Sequence, residues 1–185
     1  MRRLRAVRAA GLLLAALVLA SACAEGEGIV EVYWQFEDRN LRRIFPQGDV
    51  GDTCEFTSAS GIRYDLRVRL RVLENTEACV AAPDDAACQI IDPVLFPCNR
   101  RRGTADLVPV SAREDGSDPG YLMIVEALID PTDGPAFVPN STCLIGPGPR
   151  VRKVRPGRIT DLEVYQFIVD AVTLGAYDLD LDACR

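Results

Sequence analysis

The most informative absence in this 185-residue sequence is histidine, of which there is none. Without histidine, the chain cannot form Ser-His-Asp or Cys-His nucleophilic centres, histidine-ligated metal sites or histidine proton shuttles. Lysine is almost as scarce: Lys153 is the only one, and it lies within a run of arginines, where burial of its ammonium group is not expected. Pairs of carboxylates are therefore what remains for acid-base catalysis.

The sequence also lacks a segment long enough to span a membrane as a helix. The longest apolar run, residues 11–20, is far shorter than the roughly 20 residues that a spanning helix needs. It follows a basic segment and precedes the small residues Ala20-Ser21-Ala22, which is the layout of a secretory signal peptide. We therefore predict an exported chain with a signal peptide over residues 1–22. The basic segment consists of Arg2, Arg3, Arg5 and Arg8.

Cys23, directly after these small residues, resembles the modified cysteine of the bacterial lipobox. The resemblance implies cleavage before Cys23 and a diacylglycerol thioether on its sulfur, so that the membrane is reached through a lipid anchor. Ala24 in the next position implies retention at the outer membrane, facing the periplasm or the cell surface. Ala20 departs from the lipobox, which most often has leucine there. The alternative is ordinary cleavage after Ala22, which leaves Cys23 free or paired.

The cysteine count agrees with a special role for Cys23. The chain has seven cysteines, and setting Cys23 aside leaves six, which can form three disulfides in an oxidising compartment. A zinc site is the rival use, but no pair has the spacing of a structural zinc motif. The sequence does not choose among the possible pairings. Our working hypothesis has Cys79–Cys88 as a local clamp, with Cys54–Cys98 and Cys143–Cys184 as longer ties.

The acidic balance of the chain argues against nucleic acid as a partner. Cleavage before Cys23 removes four of the 21 basic residues and none of the 27 acidic ones, so the net charge falls from −6 to −10. A chain with this charge does not attract nucleic acid through a general field. The 163 residues that remain are a single-domain length. We assign residues 23–28 to the anchor and tether, and residues 29–185 to one domain.

Two segments alternate clearly between apolar and polar side chains, as half-buried strands do. In residues 29–37 the apolar set includes Trp34 and Phe36, and in residues 62–72 it runs from Ile62 to Val72 at every second position. Residues 121–129 are apolar on both faces except at Glu126, which predicts a covered central strand. Further strands are predicted at 89–91, 94–96, 106–110, 137–138, 150–154, 159–172 with a bulge near 166–167, and 177–182 at an edge, with loops over 38–61 and 74–87.

Short alternating segments separated by Pro- and Gly-containing turns predict an all-β, antiparallel β-sandwich stabilised by disulfides. Several features together resemble small bacterial lipoproteins of myxobacterial type. They are the lipobox, the first strand with Trp34, the Phe96-Pro97-Cys98 step, Gly120-Tyr121-Leu122 before an Asp-Gly turn, and a long final strand. The resemblance implies an immunoglobulin-like or prealbumin-like sandwich, and it implies no activity.

One face of the strand over 62–72 is rich in arginine. This face can bind an anionic polymer such as lipopolysaccharide phosphate or acidic polysaccharide, with Arg42, Arg43 and residues 100–102 extending the patch. The alternative, which we favour, is a solvated face whose charges pair with acidic neighbours and discourage edge-to-edge association. The candidate anion-binding residues are Arg63, Arg67, Arg69 and Arg71.

Asp178, Asp180 and Asp182 recur at every second position and are weak candidates for a calcium site. An EF-type loop also needs a glycine at its sixth position and a later glutamate, and the chain offers neither. On a strand, such aspartates simply face water. We therefore predict no metal and no cofactor.

Three functions follow in order of preference. The first is a non-enzymatic envelope lipoprotein that acts as a structural or interaction module at the membrane surface. The second is a surface protein that binds an anionic glycan or an envelope protein partner. The third is a carboxylate-based hydrolase, which requires a cleft with two carboxylates at catalytic distance.

Overall fold

The computed structural model describes residues 26–45, 54–58, 60–169 and 181–185. These residues form ten strands in two sheets, together with one short helix, α1 (Glu77–Ala81). None of their helices is long and apolar enough to span a membrane. The strands are β1 (Glu27–Glu37), β2 (Arg43–Phe45), β3 (Glu55–Thr57), β4 (Arg63–Glu74), β5 (Val94–Pro97), β6 (Arg102–Pro109), β7 (Tyr121–Pro131), β8 (Leu144–Ile145), β9 (Arg150–Arg152) and β10 (Ile159–Val169).

The first sheet is centred on β1. One edge of β1 pairs with β10, and the other pairs first with β6 and then, near its end, with β2. Strand β8 pairs with the far edge of β10. The second sheet is centred on β4, which pairs with β7 on one edge and with β3 and β5 in succession on the other. Strand β9 completes this sheet beside β7.

The core lies between the two sheets and is formed by the alternating apolar residues of β1 and β4. Trp34 and Phe36 of β1 are 2% and 0% exposed, and every second residue of β4 from Tyr64 to Val72 is buried. Trp34 stacks on Phe96 at a centroid distance of 5.5 Å, and its indole N–H donates to the Cys98 carbonyl at 2.8 Å. The prediction of an all-β sandwich is therefore confirmed.

The pairing of β1 with β10 is parallel, although an antiparallel sandwich was predicted. Long connections separate these strands in sequence, so no turn signal could indicate their relative direction. The predicted bulge near 166–167 also lies elsewhere. The register shifts opposite Glu31, and Glu163 has a φ of 65°, so the extra residue falls between the buried Leu162 and Tyr165.

Several predicted boundaries move for identifiable reasons. Strand β1 begins at Glu27 inside the expected tether, because Glu27 and Gly28 pair with the end of β6. Strand β6 begins before the predicted residue 106, since Arg102 pairs with Tyr33. The 74–87 loop contains α1, whose first turn is capped by Thr76, and a 3₁₀ turn at Ala86–Cys88.

The shortest predicted strands are only partly formed. Strands β5 and β9 are present, but residues 89–91 and 137–138 contribute single bridges, from Gln89 to Leu73 and from Phe137 to Ile129. The predicted edge strand over 177–182 lies mostly outside the described residues. Its described end, residues 181–184, is a turn rather than a strand.

Candidate functional site

The predicted arginine face exists on the outer side of the second sheet, but its charges are compensated. Every one of the four arginines has a carboxylate within ion-pair distance. The pairs are Arg63–Glu55 at 3.0 Å, Arg67–Asp130 at 2.9 Å, Arg69–Glu126 at 2.7 Å, and Arg71 with Glu126 and Asp84, both at 2.7 Å. This arrangement matches the favoured expectation of a face that pairs with acidic neighbours.

The cross-strand register explains why these pairs form. Arg69 lies directly opposite Glu126 of β7, so the only charged residue within the otherwise apolar 121–129 segment points to the arginine side of the sheet. Glu126 accepts from both Arg69 Nε and Arg71 Nη2. An acid held between two arginines on one sheet face is a structural pairing of the kind that stabilises adjacent strands.

Arg71 is not part of an exposed patch, because its side chain is only 5% exposed. The segment that contains α1 covers it, and Arg71 Nη1 donates to the Pro83 carbonyl at 2.9 Å as well as to Asp84. Its Nε has no hydrogen-bond partner within the described part of the chain. Arg71 therefore holds the 74–89 segment against the sheet and is not available to an external anion.

The expected extension of the patch by Arg42, Arg43 and Arg102 is wrong, whereas Arg100 and Arg101 lie in the turn that follows β5 of the second sheet. Arg42 and Arg43 lie at β2 and Arg102 lies on β6, and both strands belong to the other sheet. Arg42 is paired with Asp38 at 2.6 Å, and Arg102 lies 3.7 Å from Glu31. Arg42, Arg43 and Arg102 thus lie at the other sheet of the sandwich. The sequence could not show this, because it does not specify which strands pair with each other.

All six remaining cysteines are paired as hypothesised. The disulfides are Cys54–Cys98, Cys79–Cys88 and Cys143–Cys184. Such bonds form and persist in oxidising, exported compartments, so they support the export of the chain. They also leave no free thiol in the described residues for metal binding or nucleophilic chemistry.

A cleft of about 330 Å³ opens on the second sheet between the start of β3 and the end of β5. Its lining includes Glu55, Asp65 and Arg67, with Leu95 and the Cys54–Cys98 disulfide. Glu55 and Asp65 are direct cross-strand partners, so the cleft does bring two carboxylates together. Both are about half exposed and both lie beside an arginine, whereas a general acid is normally kept protonated by burial.

A second polar arrangement lies at the end of the sandwich where β1 begins, and no sequence pattern predicted it. The buried hydroxyl of Ser111 donates to Asp118 at 2.5 Å and accepts from the Val154 amide at 3.0 Å. The pKa of Asp118 is lowered from 3.8, first by the Ser111 hydrogen bond and then by the Gly120 amide and the charges of Lys153 and Arg155, against an opposing effect of burial. Ser111 therefore joins the 111–120 loop to the segment that precedes β10.

Arg150 is another residue whose role the sequence does not reveal. It stands on β9 of the second sheet, yet its guanidinium lies 4.1 Å from the Tyr165 ring centroid in the first sheet. It also donates to the carbonyls of Leu162 and Val164, on either side of the Glu163 bulge. Arg150 thus connects the two sheets and supports the irregular part of β10.

The other candidates from the sequence are only partly visible. Cys23, Asp178 and Asp180 lie outside the described residues, and Asp182 lies in the turn near the chain's end. Among the described residues, no cluster of three potential metal ligands occurs. Asn140, the first residue of an Asn-Ser-Thr sequence, uses its side-chain amide to donate to the Ala183 carbonyl at 2.8 Å.

Comparison of the chain with protein-family models, with curated proteins and with solved structures gives no significant match.

Proposed function

We propose that this chain is an exported lipoprotein of the bacterial envelope, whose β-sandwich is a non-enzymatic structural or interaction module at the membrane surface. The observation that carries the proposal is the position of the one cysteine left over from the three disulfides. Cys23 follows a signal-peptide pattern and lies four residues before the first residue of β1. A lipid on Cys23 would hold the folded domain directly against the bilayer.

The arrangement of charge supports a module rather than an anion receptor. On the arginine face each guanidinium already has a carboxylate partner, so binding a phosphate or a glycan carboxylate there would require breaking an existing pair. The binding alternative predicts salt-sensitive binding to lipopolysaccharide that Arg67→Glu with Arg69→Glu abolishes. The module proposal predicts no such binding even at low salt.

The hydrolase alternative would have to use Glu55 and Asp65, the two carboxylates of the cleft. Retaining and inverting glycosidases both need one carboxyl group that keeps a proton near neutral pH. Glu55 and Asp65 are instead both about half exposed and each lies beside an arginine, whereas a catalytic acid is normally enclosed in a buried pocket. The cleft is therefore better explained as a feature of the surface than as a catalytic acid-base site.

Replacement of Cys23 tests the anchor directly. We expect wild-type protein to partition into the detergent phase after extraction from the native envelope, and to incorporate labelled fatty acid. The Cys23→Ala variant should still be cleaved after Ala22, because the small residues remain, and should partition into the aqueous phase without label.

Ser21→Gly is the matched control, since it changes the same junction but keeps a small residue and Cys23. We expect it to behave like the wild type. Mass measurement of each purified chain verifies the cleavage position. Partitioning of correctly cleaved Cys23→Ala into the detergent phase would contradict the lipid anchor.

A further inference from the structure

We propose that the end of the sandwich next to Gly26 is a membrane-contact surface that binds the phospholipid bilayer through Leu107, Ile159, Arg155 and Arg158. This proposal rests on the proposed lipid anchor. The decisive juxtaposition is that two exposed aliphatic side chains and two exposed arginines surround the point where the chain continues towards Cys23.

The path of the chain fixes which end of the domain the anchor reaches. The Gly26 carbonyl accepts from the Val110 amide at 2.9 Å, so the described chain begins against the end of β6. Cys23 is three residues earlier, and three extended residues span at most about 10 Å. A lipid on Cys23 therefore holds this end of the sandwich, rather than any other part of it, at the bilayer surface.

The turn before β10 is firmly packed against the first residues of β1. The Ile29 amide donates to the Arg158 carbonyl at 3.1 Å, and the Gly157 amide donates to the Glu27 carbonyl at 2.9 Å. The approach is so close that a Cβ on Gly28 would lie 2.7 Å from the Arg155 carbonyl oxygen. This packing fixes the backbone of Arg155 and Arg158 beside the start of the chain's first strand.

Two aliphatic side chains are exposed on the strands that flank β1 here. Ile159 is 61% exposed and is the register partner of Ile29 on β10. Leu107 is 68% exposed on β6, at a bulge where its φ is 58°. A bulky residue at positive φ is uncommon, so this position presents an aliphatic side chain to the outside at a conformational cost. Because β6 and β10 flank β1, the two lie about 10 Å apart across the sheet.

The two arginines have the chemistry that lipid phosphates require. Arg155 and Arg158 are exposed, and within the described ranges neither forms an ion pair as close as those of the β4 arginines, although the charge of Arg155 acts on Asp118 and, with the larger effect of the Ser111 hydrogen bond, lowers the pKa of that carboxyl. A guanidinium can donate two parallel hydrogen bonds to a phosphate group while its apolar stem stays near the hydrocarbon boundary. Exposed aliphatic side chains beside such arginines form an amphipathic surface of the kind that lies at an interface.

Long-range attraction is not the driving force of this contact. Glu27, Asp106 and Asp161 lie on the same three strands, so the end of the domain has no marked positive charge. The anchor instead raises the local concentration of the surface at the bilayer, so that weak short-range contacts are sufficient. The contact would orient the domain relative to the bilayer. It would not involve the arginine face of β4, which belongs to the other sheet.

Fluorescence quenching by brominated lipid tests the contact on the lipidated protein. Leu107→Trp and Ile159→Trp variants are reconstituted into phosphatidylcholine–phosphatidylglycerol vesicles containing dibromo-phosphatidylcholine. The native Trp34 is 2% exposed and gives a constant background. Ile145→Trp is the matched control: it is also exposed on the same sheet, but pairs with Ile168, nine residues along β10 from Ile159, or about 30 Å away.

We expect at least about twofold stronger quenching at positions 107 and 159 than at position 145, given the depth of interfacial burial. Arg155→Glu with Arg158→Glu should reduce the quenching at position 107. Arg43→Glu with Arg100→Glu, the same charge change at exposed arginines elsewhere, should not. Equal quenching at all three positions would overturn the contact, and quenching that survives the Arg155/Arg158 change would overturn the role of the arginines.

The contact and the anchor can fail separately. If mass measurement shows an unlipidated chain starting at Cys23, the anchor is wrong. The same tryptophan variants, held by an N-terminal hexahistidine tag on nickel-chelating lipids, then decide whether this end contacts the bilayer. Weak quenching at positions 107 and 159 on those vesicles would overturn the contact on its own.

Discussion

Arg63 and Arg71 occupy the same face of β4 and both pair with carboxylates, but their surroundings differ. The Arg63 side chain is 67% exposed and that of its partner Glu55 is 51% exposed, so water screens the pair. Arg71 is 5% exposed and is covered by the 74–89 segment. At the residue scale, then, a regular row of arginines in the sequence contains both a solvated surface pair and a buried structural group.

Arg71→Met is expected to destabilise the fold by about 2–4 kcal/mol. The change removes charged hydrogen bonds to Glu126 and Asp84, while Glu126 keeps Arg69 as a partner. Urea unfolding with the disulfides intact measures the loss as a shift of the midpoint.

Arg63→Met is the matched control on the same strand, and should cost less than about 1 kcal/mol because its ion pair is exposed. Equal losses for the two variants would mean that the 74–89 segment does not depend on Arg71.

At the scale of elements, the sequence predicted best where one face of a strand is buried. The apolar sets of β1 and β4 were identified correctly because a shift of one residue would turn charged side chains into the core. The partners of these strands were not predictable in the same way. The parallel pairing of β1 with β10 and the match of Arg69 with Glu126 depend on contacts between segments far apart in sequence.

Short or irregular elements show the same limitation. Strand β9 has only three residues, and Gln89 and Phe137 each form a single bridge. Their conformation depends on the neighbouring strands with which they pair, and not on an alternating pattern in their own sequence. The bulge at Glu163 depends on Arg150, which reaches across from the other sheet. Ser111 and Asp118 look like ordinary turn residues in sequence, and only the fold brings Val154 to them.

The three disulfides close loops of different length, and this difference predicts unequal contributions to stability. Replacing Cys79 and Cys88 with alanine opens a loop of nine residues' separation and should cost about 3 kcal/mol. Replacing Cys143 and Cys184, separated by 41 residues, should cost about 4 kcal/mol. Urea unfolding of the two double variants checks this order, and a larger loss from the short loop would contradict it.

At the scale of the whole molecule, two independent features of the chain agree with each other. One is a sandwich in which six cysteines form three disulfides, and the other is a signal-like N-terminus that ends at the seventh. The compartment that permits the disulfides is also the one in which lipidated cysteines are found. Together they are the basis of our proposal that the chain is a small domain held close to a membrane, with a cleft of about 330 Å³ on its second sheet.

Mass spectrometry of the intact protein and its peptides from native envelope, before and after reduction, tests this account most directly. We predict a chain that starts at Cys23, carries a diacylglycerol group there, and has no thiol that can be alkylated until the disulfides are reduced. A full-length chain with free thiols would contradict both the lipid anchor and the oxidised domain.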